Sequence, residues 1–314
     1  MKWAKRLKLK QLRLLLVLAE TGNLSETARK ANMTQPALSR WLKELEDDVG
    51  HELFARHAKG VTPTHAGQVL LLHAQRILTA AERTQQDLDD IRAGVSRTLV
   101  IGMSPATAPR FVPETVLRFL ANKNHVYVEI QEGTMDFLLE RLKLGKLDLL
   151  VGRLDNYTPD VNMKSELLYR DPICIVARQE HPLANKSHLD WQDLEDYEWV
   201  IWPSGTPIRS RLDNALTAAG KRPPVYRIKS TSQVANLWLL QNSDMLSVAS
   251  KSVAEHFIGR GLLTELNLPL GIVAGAVGMI WRGQDENDEL LSSLIECFRE
   301  MMVTRINTHE NESL

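Results

Sequence analysis

A short segment at residues 34–43, TQPALSRWLK, carries side chains that could read the edges of bases in DNA. Apolar residues recur in and just beyond it at helical spacing, which predicts a face packed against a core: Ala37, Leu38, Trp41, Leu42 and Leu45. The opposite face, near the N-terminus, shows Gln35, Pro36, Ser39, Arg40 and Lys43. Amide, hydroxyl and guanidinium groups bind base edges in the major groove or phosphate oxygens. The segment therefore predicts a DNA-reading helix, in which Arg40 contacts either a guanine edge or a phosphate.

The residues before this helix predict the turn that positions it. Ser25 stands where the N-cap of a short preceding helix belongs, and Asn32 and Met33 follow as a tight turn. Thr34 then caps the second helix and positions it on phosphate, with a proline in the first turn. Residues 9–20 have leucines at helical spacing and predict a first helix that packs beneath the other two. Together these segments predict a helix-turn-helix.

Positive charge is concentrated in the N-terminal part of the chain. Residues 1–65 hold 12 Lys and Arg against 7 Asp and Glu, although the whole chain has a net charge of −1. Arg56 and Lys59 belong to this part, and the loop at residues 58–64 suits the tip of a wing near phosphate or the minor groove. We expect both side chains to contact DNA, with the acidic remainder of the chain kept away from this polyanion.

A long helix is predicted from residue 64 to residue 93. Its apolar positions, interleaved with charges, are Ala66, Val69, Leu70, His73, Ile77, Ala80, Ala81, Thr84, Leu88 and Ile91. A small winged domain cannot bury a stripe of that length, so the helix needs a partner. The same helix of a second subunit is the partner that we expect, and its two-fold symmetry would suit a pseudo-palindromic DNA site.

Composition limits the class of protein. The 314 residues are 44% hydrophobic and 25% charged, which is typical of a soluble globular chain with two or three domains. There is no apolar run of membrane-spanning length, and the N-terminal segment MKWAKRLKLKQLR has no signal-peptide core, so we predict no membrane partner. Cys174 and Cys297 have no partner at ligand spacing; Cys174 lies in a strand-like run. Two lone cysteines fit a reduced cytoplasm and core positions better than a redox pair.

From residue 94 onward, strand-like runs alternate with amphipathic helices. The predicted strands are residues 99–102, 126–130, 147–152, 173–177, 199–202, 226–230 and 245–250. The predicted helices are residues 111–122, 135–144, 209–219 and 234–241. Such alternation predicts an α/β fold built of βαβ units around parallel sheets. A polar tail at residues 305–314 is predicted to be disordered.

The turns between these strands and helices carry a second set of candidate binding residues. Ligands of α/β sheets settle at the carboxyl ends of the strands, where the chain has hydroxyls, one cation and one large aromatic: Ser104, Thr107, Thr134, Arg153, Trp202, Ser204, Thr206 and Ser232. Hydroxyls beside helix N-termini suit a carboxylate or a hydroxylated ligand. Plain helix capping is the alternative for each hydroxyl, and an ion pair is the alternative for Arg153. Arg209 and Arg211, on the next helix, are expected to be solvated.

No pattern in the chain indicates catalysis. The nine histidines are scattered without metal-ligand spacing, and no GxSxG, GxGxxG or P-loop sequence is present. We therefore predict a protein that is not an enzyme, with no cofactor and no metal.

The segment TQPALSRWLKELEDDVGHELFAR, followed by GVTPTHAG and a long helix, resembles the LysR-type transcriptional regulators, and the pattern covers nearly the whole chain. Trp41 departs from the family, which more often has a polar residue there; we favour a core position for it over contact with DNA. PTHAG at residues 63–67 also departs, because a leucine and an acid are more common.

The resemblance implies a winged helix-turn-helix at residues 1–65, a dimerising linker helix at 66–93, and a two-lobed α/β effector domain at 94–304, similar to periplasmic binding proteins. Lobe one would comprise residues 94–168 and 270–304, and lobe two residues 169–269. A strand at 272–281 and a final helix at 289–304 would complete lobe one. The implied function is a DNA-binding regulator whose operator binding changes when an effector binds between the lobes, altering the spacing of the DNA-binding heads. The implied assembly is a dimer and, through the effector domains, a tetramer. RNA polymerase is a further candidate partner.

Two other functions remain open at this point. The chain could be a solute-binding protein with no role on DNA, although the basic N-terminal part argues against that. It could also be an architectural DNA-binding protein that responds to no effector. For the effector itself we favour a small carboxylate over a sugar or an aromatic compound, since Trp202 could also stack on a ring.

Overall fold

The computed structural model describes residues 7–92, 94–155, 157–158, 161–271 and 274–311. Four predictions fall partly outside these residues: the start of the basic N-terminal segment, the end of the long helix at 93, the first two residues of the strand at 272–281, and the end of the tail. The chain divides into two compact units, one formed by residues up to 97 with 143–146 and the other by the remainder.

The first unit is a helix-turn-helix followed by a two-stranded wing and a long helix. Its elements are α1 (Leu9–Thr21), α2 (Leu24–Lys30), α3 (Gln35–Val49), β1 (Phe54–His57), β2 (Gly60–Pro63) and α4 (His65–Arg92). The strands β1 and β2 pair antiparallel as a hairpin. The order of the predicted helices is confirmed in this unit. The prediction of a loop at residues 58–64 is only partly right, because β2 occupies Gly60–Pro63 and leaves a short turn before it.

Two caps determine where α2 and α3 begin. The prediction of Ser25 as the first cap is wrong: the Asn23 side chain accepts hydrogen bonds from the backbone N–H groups of Ser25 and Glu26, so α2 begins earlier. Thr34 is the N-cap of α3, as predicted, and its hydroxyl accepts from Ala37 N at 3.4 Å. Between the two helices Asn32 has a φ of 52°, a left-handed conformation that asparagine tolerates better than most residues.

The core of the first unit holds one face of α3. Leu38, Leu42 and Leu45 are buried there. Trp41 is half-buried and packs against the apolar clusters on both sides of α3, which supports its assignment to the core. Ala37 is exposed, so its assignment to the packed face is wrong. The buried face is therefore narrower than the apolar spacing indicates.

The start of α4 is fixed to the chain that enters the wing. Thr64 Oγ1 donates to Glu52 O at 2.6 Å and accepts from Gly67 N at 3.1 Å. A Cβ atom at Gly67 would lie 2.0 Å from Leu53 O, so only glycine allows this approach. The residues THAG of the wing exit are therefore explained by local packing.

Part of the apolar stripe of α4 is buried and part is uncovered. Ala74 and Leu78 pack against Leu12 of α1. Large apolar side chains remain exposed along the rest of the helix, where they are Val69, Leu72, Ile77, Leu88 and Ile91. The side chains of Ile77 (47%) and Leu88 (50%) are about half exposed, so this apolar surface of α4 is not covered by the chain itself.

The second unit is an α/β structure with two lobes. Lobe one contains β3 (Arg97–Met103), α5 (Phe111–Leu120), β4 (Val126–Glu132), α6 (Met135–Lys143), β5 (Leu149–Arg153), β6 (Met163–Asp171), β12 (Gly275–Arg282) and α10 (Glu289–Asn311). Lobe two contains β7 (Ile173–Ala177), β8 (Trp199–Ile201), α7 (Pro207–Ala218), β9 (Tyr226–Lys229), α8 (Gln233–Gln241), β10 (Ser247–Ser250), α9 (Lys251–Ile258) and β11 (Thr264–Leu266). The sequence pattern predicted none of β6, α9 and β11.

The sheets are mixed, so the prediction of parallel sheets is only partly right. Lobe one has the strand order β4-β3-β5-β12-β6, with β3 and β5 parallel and β12 antiparallel to both β5 and β6. In lobe two, β7 lies between β10 and β11 and is antiparallel to both, while β8 and β9 form a separate parallel pair. The return strand β12 runs opposite to β5 because the chain re-enters lobe one from lobe two.

Each lobe has its own core, and the last helix belongs to that of lobe one. Phe298 of α10 packs with Phe111 of α5 beneath the five-stranded sheet, while Trp199 and Leu212 lie in the core of lobe two. The helix α10 continues to Asn311, so the prediction of a disordered tail does not hold for residues 305–311. Both cysteines are buried, and burial raises the pKa of the Cys174 thiol far above its ordinary value, which makes this thiol unreactive.

Candidate functional site

The exposed face of α3 is the first candidate site. Leu38 and Leu42 anchor the helix, and the next residue after each, Ser39 and Lys43, is turned away from that buried face. Gln35 is exposed because it lies in the first turn of the helix. Gln35 Nε2 donates to Ser39 Oγ at 3.1 Å, which holds these two polar groups together at the start of the helix. Pro36, Arg40 and Lys43 are exposed beside them. A rigid helix with an uncovered polar end has the form that enters a major groove.

The basic side chains of this unit are available to bind an anion. Arg40 and Lys43 on α3, Arg56 on β1 and Lys59 in the hairpin turn are all exposed. Within the part of the chain that the structure describes, none of the four side chains makes an ion pair. Four uncompensated cations on one small domain favour a polyanionic partner.

The second candidate site is a cavity of about 590 Å³ between the lobes of the second unit. Seven of the predicted binding residues line it: Ser104, Thr134, Arg153, Trp202, Ser204, Thr206 and Ser232. Thr107 does not, because it is buried, and its hydroxyl donates to the carbonyls of Ser104 (3.0 Å) and Val151 (3.3 Å). Thr107 therefore stabilises the turn that carries Ser104.

Some of the lining hydroxyls also hold local structure. Thr206 Oγ1 donates to Pro203 O at 2.8 Å, which closes the turn before α7. Ser232 caps α8 by accepting from Ala235 N at 3.2 Å. Ser104 differs from both, since its Oγ is buried and, among the described residues, has no hydrogen-bond partner. Of these three hydroxyls, that of Ser104 is the one best placed to bind a ligand.

Arg153 is the central member of a buried ionic network. It is 3% exposed, and its guanidinium lies 3.6 Å from Asp155 Oδ2 and 3.7 Å from Asp171 Oδ2. Its Nη2 also donates to Asp171 O at 3.1 Å. Ser252 of α9 donates to Asp171 through both its backbone N–H and its hydroxyl. Arg153 is therefore already neutralised by two carboxylates, as the ion-pair alternative proposed.

The same network joins the lobes through Asp155 and Arg211. Arg211 on α7 donates a hydrogen bond to Asp155, and Ala276 N donates to the same carboxylate at 3.2 Å. Burial alone would raise the pKa of Asp155, but the hydrogen bond and charge of Arg211, with the charge of Arg153, lower it below its ordinary value. The prediction that Arg209 and Arg211 are solvated is wrong, because Arg209 is also buried and pairs with Asp213.

Among the polar residues of the lobe-two cavity wall that sequence reasoning missed, three have an oxygen that is unpaired among the described residues. Asn236 (6% exposed) and Gln233 lie three residues apart on α8, and Ser250 (1% exposed) precedes α9. In the described structure Asn236 Oδ1, Gln233 Oε1 and Ser250 Oγ have no hydrogen-bond partner. An asparagine on the apolar face of a helix is a signal that could have identified the first; Ser250 offered none, because α9 was not predicted.

The lobe-one side of the cavity is acidic. Glu132 and Asp136 line it together with Arg153, whose charge is compensated by the network. Desolvation at the cavity wall raises the pKa of the Glu132 carboxyl above its ordinary value. Trp202 is half-buried against the core of lobe two and presents its ring to the cavity, where it could stack on a planar ligand.

No group of three or more His, Cys, Asp or Glu among the described residues is arranged to hold a metal ion. No helix in the described ranges is long and apolar enough to cross a bilayer.

Comparison with known proteins relates both units to one family. A family model described as the LysR substrate binding domain matches residues 92–303. A second, described as the bacterial regulatory helix-turn-helix protein of the lysR family, matches residues 9–68. The second model covers the helix-turn-helix and the wing, and the first covers the two-lobed unit.

Individual relatives cover most of the chain. The HTH-type transcriptional regulator GbpR of Azospirillum brasilense is 31% identical over 277 residues, which are 88% of this chain and 81% of GbpR. The HTH-type transcriptional regulator GalR of Pseudomonas putida is 30% identical over 293 residues, 93% of this chain and 74% of GalR. Full-length CbnR, solved in complex with its target DNA, has a TM-score of 0.62 at 21% identity, covering 94% of this chain and 100% of CbnR, which shows a common fold.

Proposed function

The chain belongs to the LysR family of transcriptional regulators, and from this premise we propose that α3 reads an operator while the cavity of the second unit binds an effector. Gln35, Ser39 and Arg40 would contact base edges. Thr34, Pro36, Lys43, Arg56 and Lys59 would position the domain on the phosphate backbone. Effector binding would shift the population of lobe arrangements and so change transcriptional output.

The exposed face of α3 is the observation that carries the DNA-binding proposal. The helix is held by Leu38 and Leu42, while Arg40 projects from it without an ion pair in the described structure. An unpaired guanidinium on a rigid helix can bind guanine O6 and N7 in a bidentate manner. A solute-binding protein with no role on DNA would have no use for this arrangement.

A binding experiment with Arg40→Ala tests this proposal. The wild-type protein first selects its preferred sites from a random-sequence DNA pool, and fluorescence anisotropy at fixed salt then gives each variant's affinity for a selected site. We expect Arg40→Ala to weaken binding about tenfold or more, because a base contact contributes about 1–3 kcal/mol. The fold and the oligomer should be unchanged, since Arg40 is exposed.

Arg13→Ala is the matched control. Arg13 lies on α1, is exposed, and pairs with Glu82 at 3.6 Å, so its loss removes the same charge outside the proposed contact face. If both substitutions weaken binding equally, Arg40 acts only through its charge. If neither does, α3 is not the reading helix and the proposal fails.

The cavity supports the effector part of the proposal. It has the size of ligand pockets in other proteins, within about 300–1,000 Å³, and polar groups converge on a largely apolar wall. The N-termini of α6, α7 and α8 reach it, which supports a carboxylate, but Arg153 is not a free cation for one. An architectural protein without an effector would not need buried polar atoms such as Ser104 Oγ left unpaired in a cavity.

Self-association is the third part of the proposal. The exposed apolar residues of α4 would be covered by the same helix of a second subunit, which gives a dimer with two copies of α3. Contacts between second units would build a tetramer, and RNA polymerase would be the partner through which the DNA-bound protein acts. This function requires the cytoplasm, where the DNA lies.

A further inference from the structure

The cavity continues into lobe two beyond the strand-to-helix turns. Its wall there is formed by apolar side chains of β7, α8, α9 and the segment before β11, which are Val176, Leu240, Val253, Phe257 and Leu263. Among the described residues that line it from lobe two, none is charged. We call this part of the cavity the lobe-two compartment, and a charged group placed in it would lose its hydration without gaining a counter-ion.

Two polar groups in this compartment lack a partner although they are almost fully buried. Asn236 Oδ1 projects from α8, and Ser250 Oγ lies at the start of α9, where it makes no capping hydrogen bond. Buried polar atoms in folded proteins are nearly always paired, because an unpaired one retains the cost of its desolvation. Gln233 Oε1, one turn from Asn236, is unpaired as well within the described structure. The amide oxygens of Asn236 and Gln233 and the hydroxyl of Ser250 are therefore free to form hydrogen bonds with a ligand.

The lobe-one side of the cavity adds to this argument. Glu132 and Asp136 carry negative charge, and Arg153 is compensated by Asp155 and Asp171. Arg153 Nε and Nη1 have no hydrogen-bond partner in the described structure and could still donate at the lobe-one side. In the lobe-two compartment, however, a ligand carboxylate would meet acceptor oxygens and no cation among the described residues. A ligand with a neutral O–H group would find acceptors in both lobes.

We propose that the lobe-two compartment binds an uncharged hydroxyl group on an apolar, ring-sized skeleton, with Asn236 and Ser250 as its hydrogen-bonding residues. The hydroxyl donates to Asn236 Oδ1 and accepts from Ser250 Oγ, while the skeleton packs on Val253 and Phe257. This inference rests on the proposed role of the cavity as the effector site, and it replaces our preference for a carboxylate with a neutral ligand of the phenol or alcohol class.

Calorimetric titration of the full-length protein with two matched probes tests the inference. 2-Naphthol and 2-naphthoate share a ring system that a cavity of about 590 Å³ can enclose, but only the second is an anion at neutral pH. We expect wild-type protein to bind 2-naphthol at least tenfold more tightly than 2-naphthoate. Asn236→Leu, which has nearly the same volume, should lose at least tenfold in naphthol affinity, and its unliganded melting temperature should rise because the unpaired oxygen is gone.

Asn242→Leu is the matched control, since Asn242 ends the same helix outside the cavity and donates to Trp238 O at 2.8 Å. It should retain naphthol binding. Ser250→Ala, which removes only one atom, gives a second test that does not depend on how Asn236→Leu folds. Tighter binding of 2-naphthoate, no binding of either probe, or equal naphthol affinity in wild type and both variants would overturn the inference.

The same samples separate this inference from the proposed function. Binding of wild-type protein to its selected DNA site is measured in parallel by anisotropy. DNA binding without selective naphthol binding would overturn the lobe-two inference and leave the regulator in place. Naphthol binding without DNA binding would support the compartment and contradict the operator-binding role.

Discussion

Arg153 decides whether the base of the cavity is a structural ionic network or a site for an anion. We consider Arg153→Met, which keeps the unbranched apolar stem of the side chain and removes the guanidinium with its charge. The substitution leaves Asp155 with Arg211 and Ala276 N, and Asp171 with the two hydrogen bonds from Ser252. Both carboxylates stay largely buried, so each loses a counter-charge without gaining hydration.

The expected cost follows from the distances in the network. At about 4 Å and an effective dielectric constant of about 20, one pair of opposite charges attracts by about 4 kcal/mol, and Arg153 makes two such pairs. Much of that attraction offsets desolvation, and removing one partner from a buried pair costs about 3–5 kcal/mol net. The remaining partners of Asp155 and Asp171 place the expected loss near 3 kcal/mol, a large share of the stability of a domain.

Urea denaturation of the full-length protein measures this loss, followed by the tryptophan fluorescence of the second unit. The double variant Arg153→Met with Asp171→Asn completes the test, because the introduced amide retains hydrogen bonding to Ser252 but no longer needs a counter-ion. We expect the two substitutions together to cost about 1–3 kcal/mol less than the sum of the single ones. The network would be refuted if Arg153→Met lowers the free energy of unfolding by less than about 1 kcal/mol, or if the effects of the two substitutions are fully additive. Arg153 would then be a free cation that can bind an anionic effector.

The remaining predictions concern α4 and His181. Leu88→Glu should raise the dissociation constant of the dimer more than tenfold, because two carboxylates would enter the apolar surface that the dimer covers. Analytical ultracentrifugation measures this, with Gln86→Glu on the opposite face of α4 as the control. An unchanged molar mass for Leu88→Glu would contradict the prediction. Burial lowers the pKa of His181 below its ordinary value of 6.5, and its Nδ1 accepts from Leu183 N at 3.1 Å, so protonation breaks that bond. The contribution of neutral His181 to stability should therefore be fully present above pH 6.5 and be lost as the pH falls below it. In thermal melts from pH 8 to pH 5, the melting temperature of His181→Phe should depend less steeply on pH than that of the wild type. Equal slopes would rule out this role.

The helix-turn-helix could be predicted from the sequence because its signals are local. Thr34 caps α3 by accepting a hydrogen bond from Ala37 N, only three residues further along the chain. Leu38, Leu42 and Leu45 share one face of α3 by their spacing alone. Such relations hold for any chain in which the helix forms, so they can be read without knowing what lies nearby. The error at Ser25 is also local: Asn23, two positions earlier, is an equally good cap and satisfies two N–H groups.

The order and direction of the strands could not be predicted in the same way. Apolar runs identified seven strands of the second unit, and the family resemblance added the return strand. An apolar run alone does not show which strand lies next to it in the sheet. That β12 lies antiparallel between β5 and β6 depends on a chain that leaves lobe one, builds lobe two and returns. Edge strands such as β6 were missed because alternate exposure and charge weaken their apolar pattern.

Strand and helix patterns were enough to locate the turns that face the cavity, since seven of the eight predicted effector-binding residues line it. What each of these residues can bind depends on the contacts that the fold gives it. Arg153 is neutralised by Asp171, 18 positions away, and Asp155 by Arg211, 56 positions away. Asn236 and Ser250 become candidate ligand-binding residues only because α8 and α9 bury them without partners. Spacing along the chain encodes periodicity and caps, whereas the pairing of a buried polar group depends on which distant residues the fold brings to it.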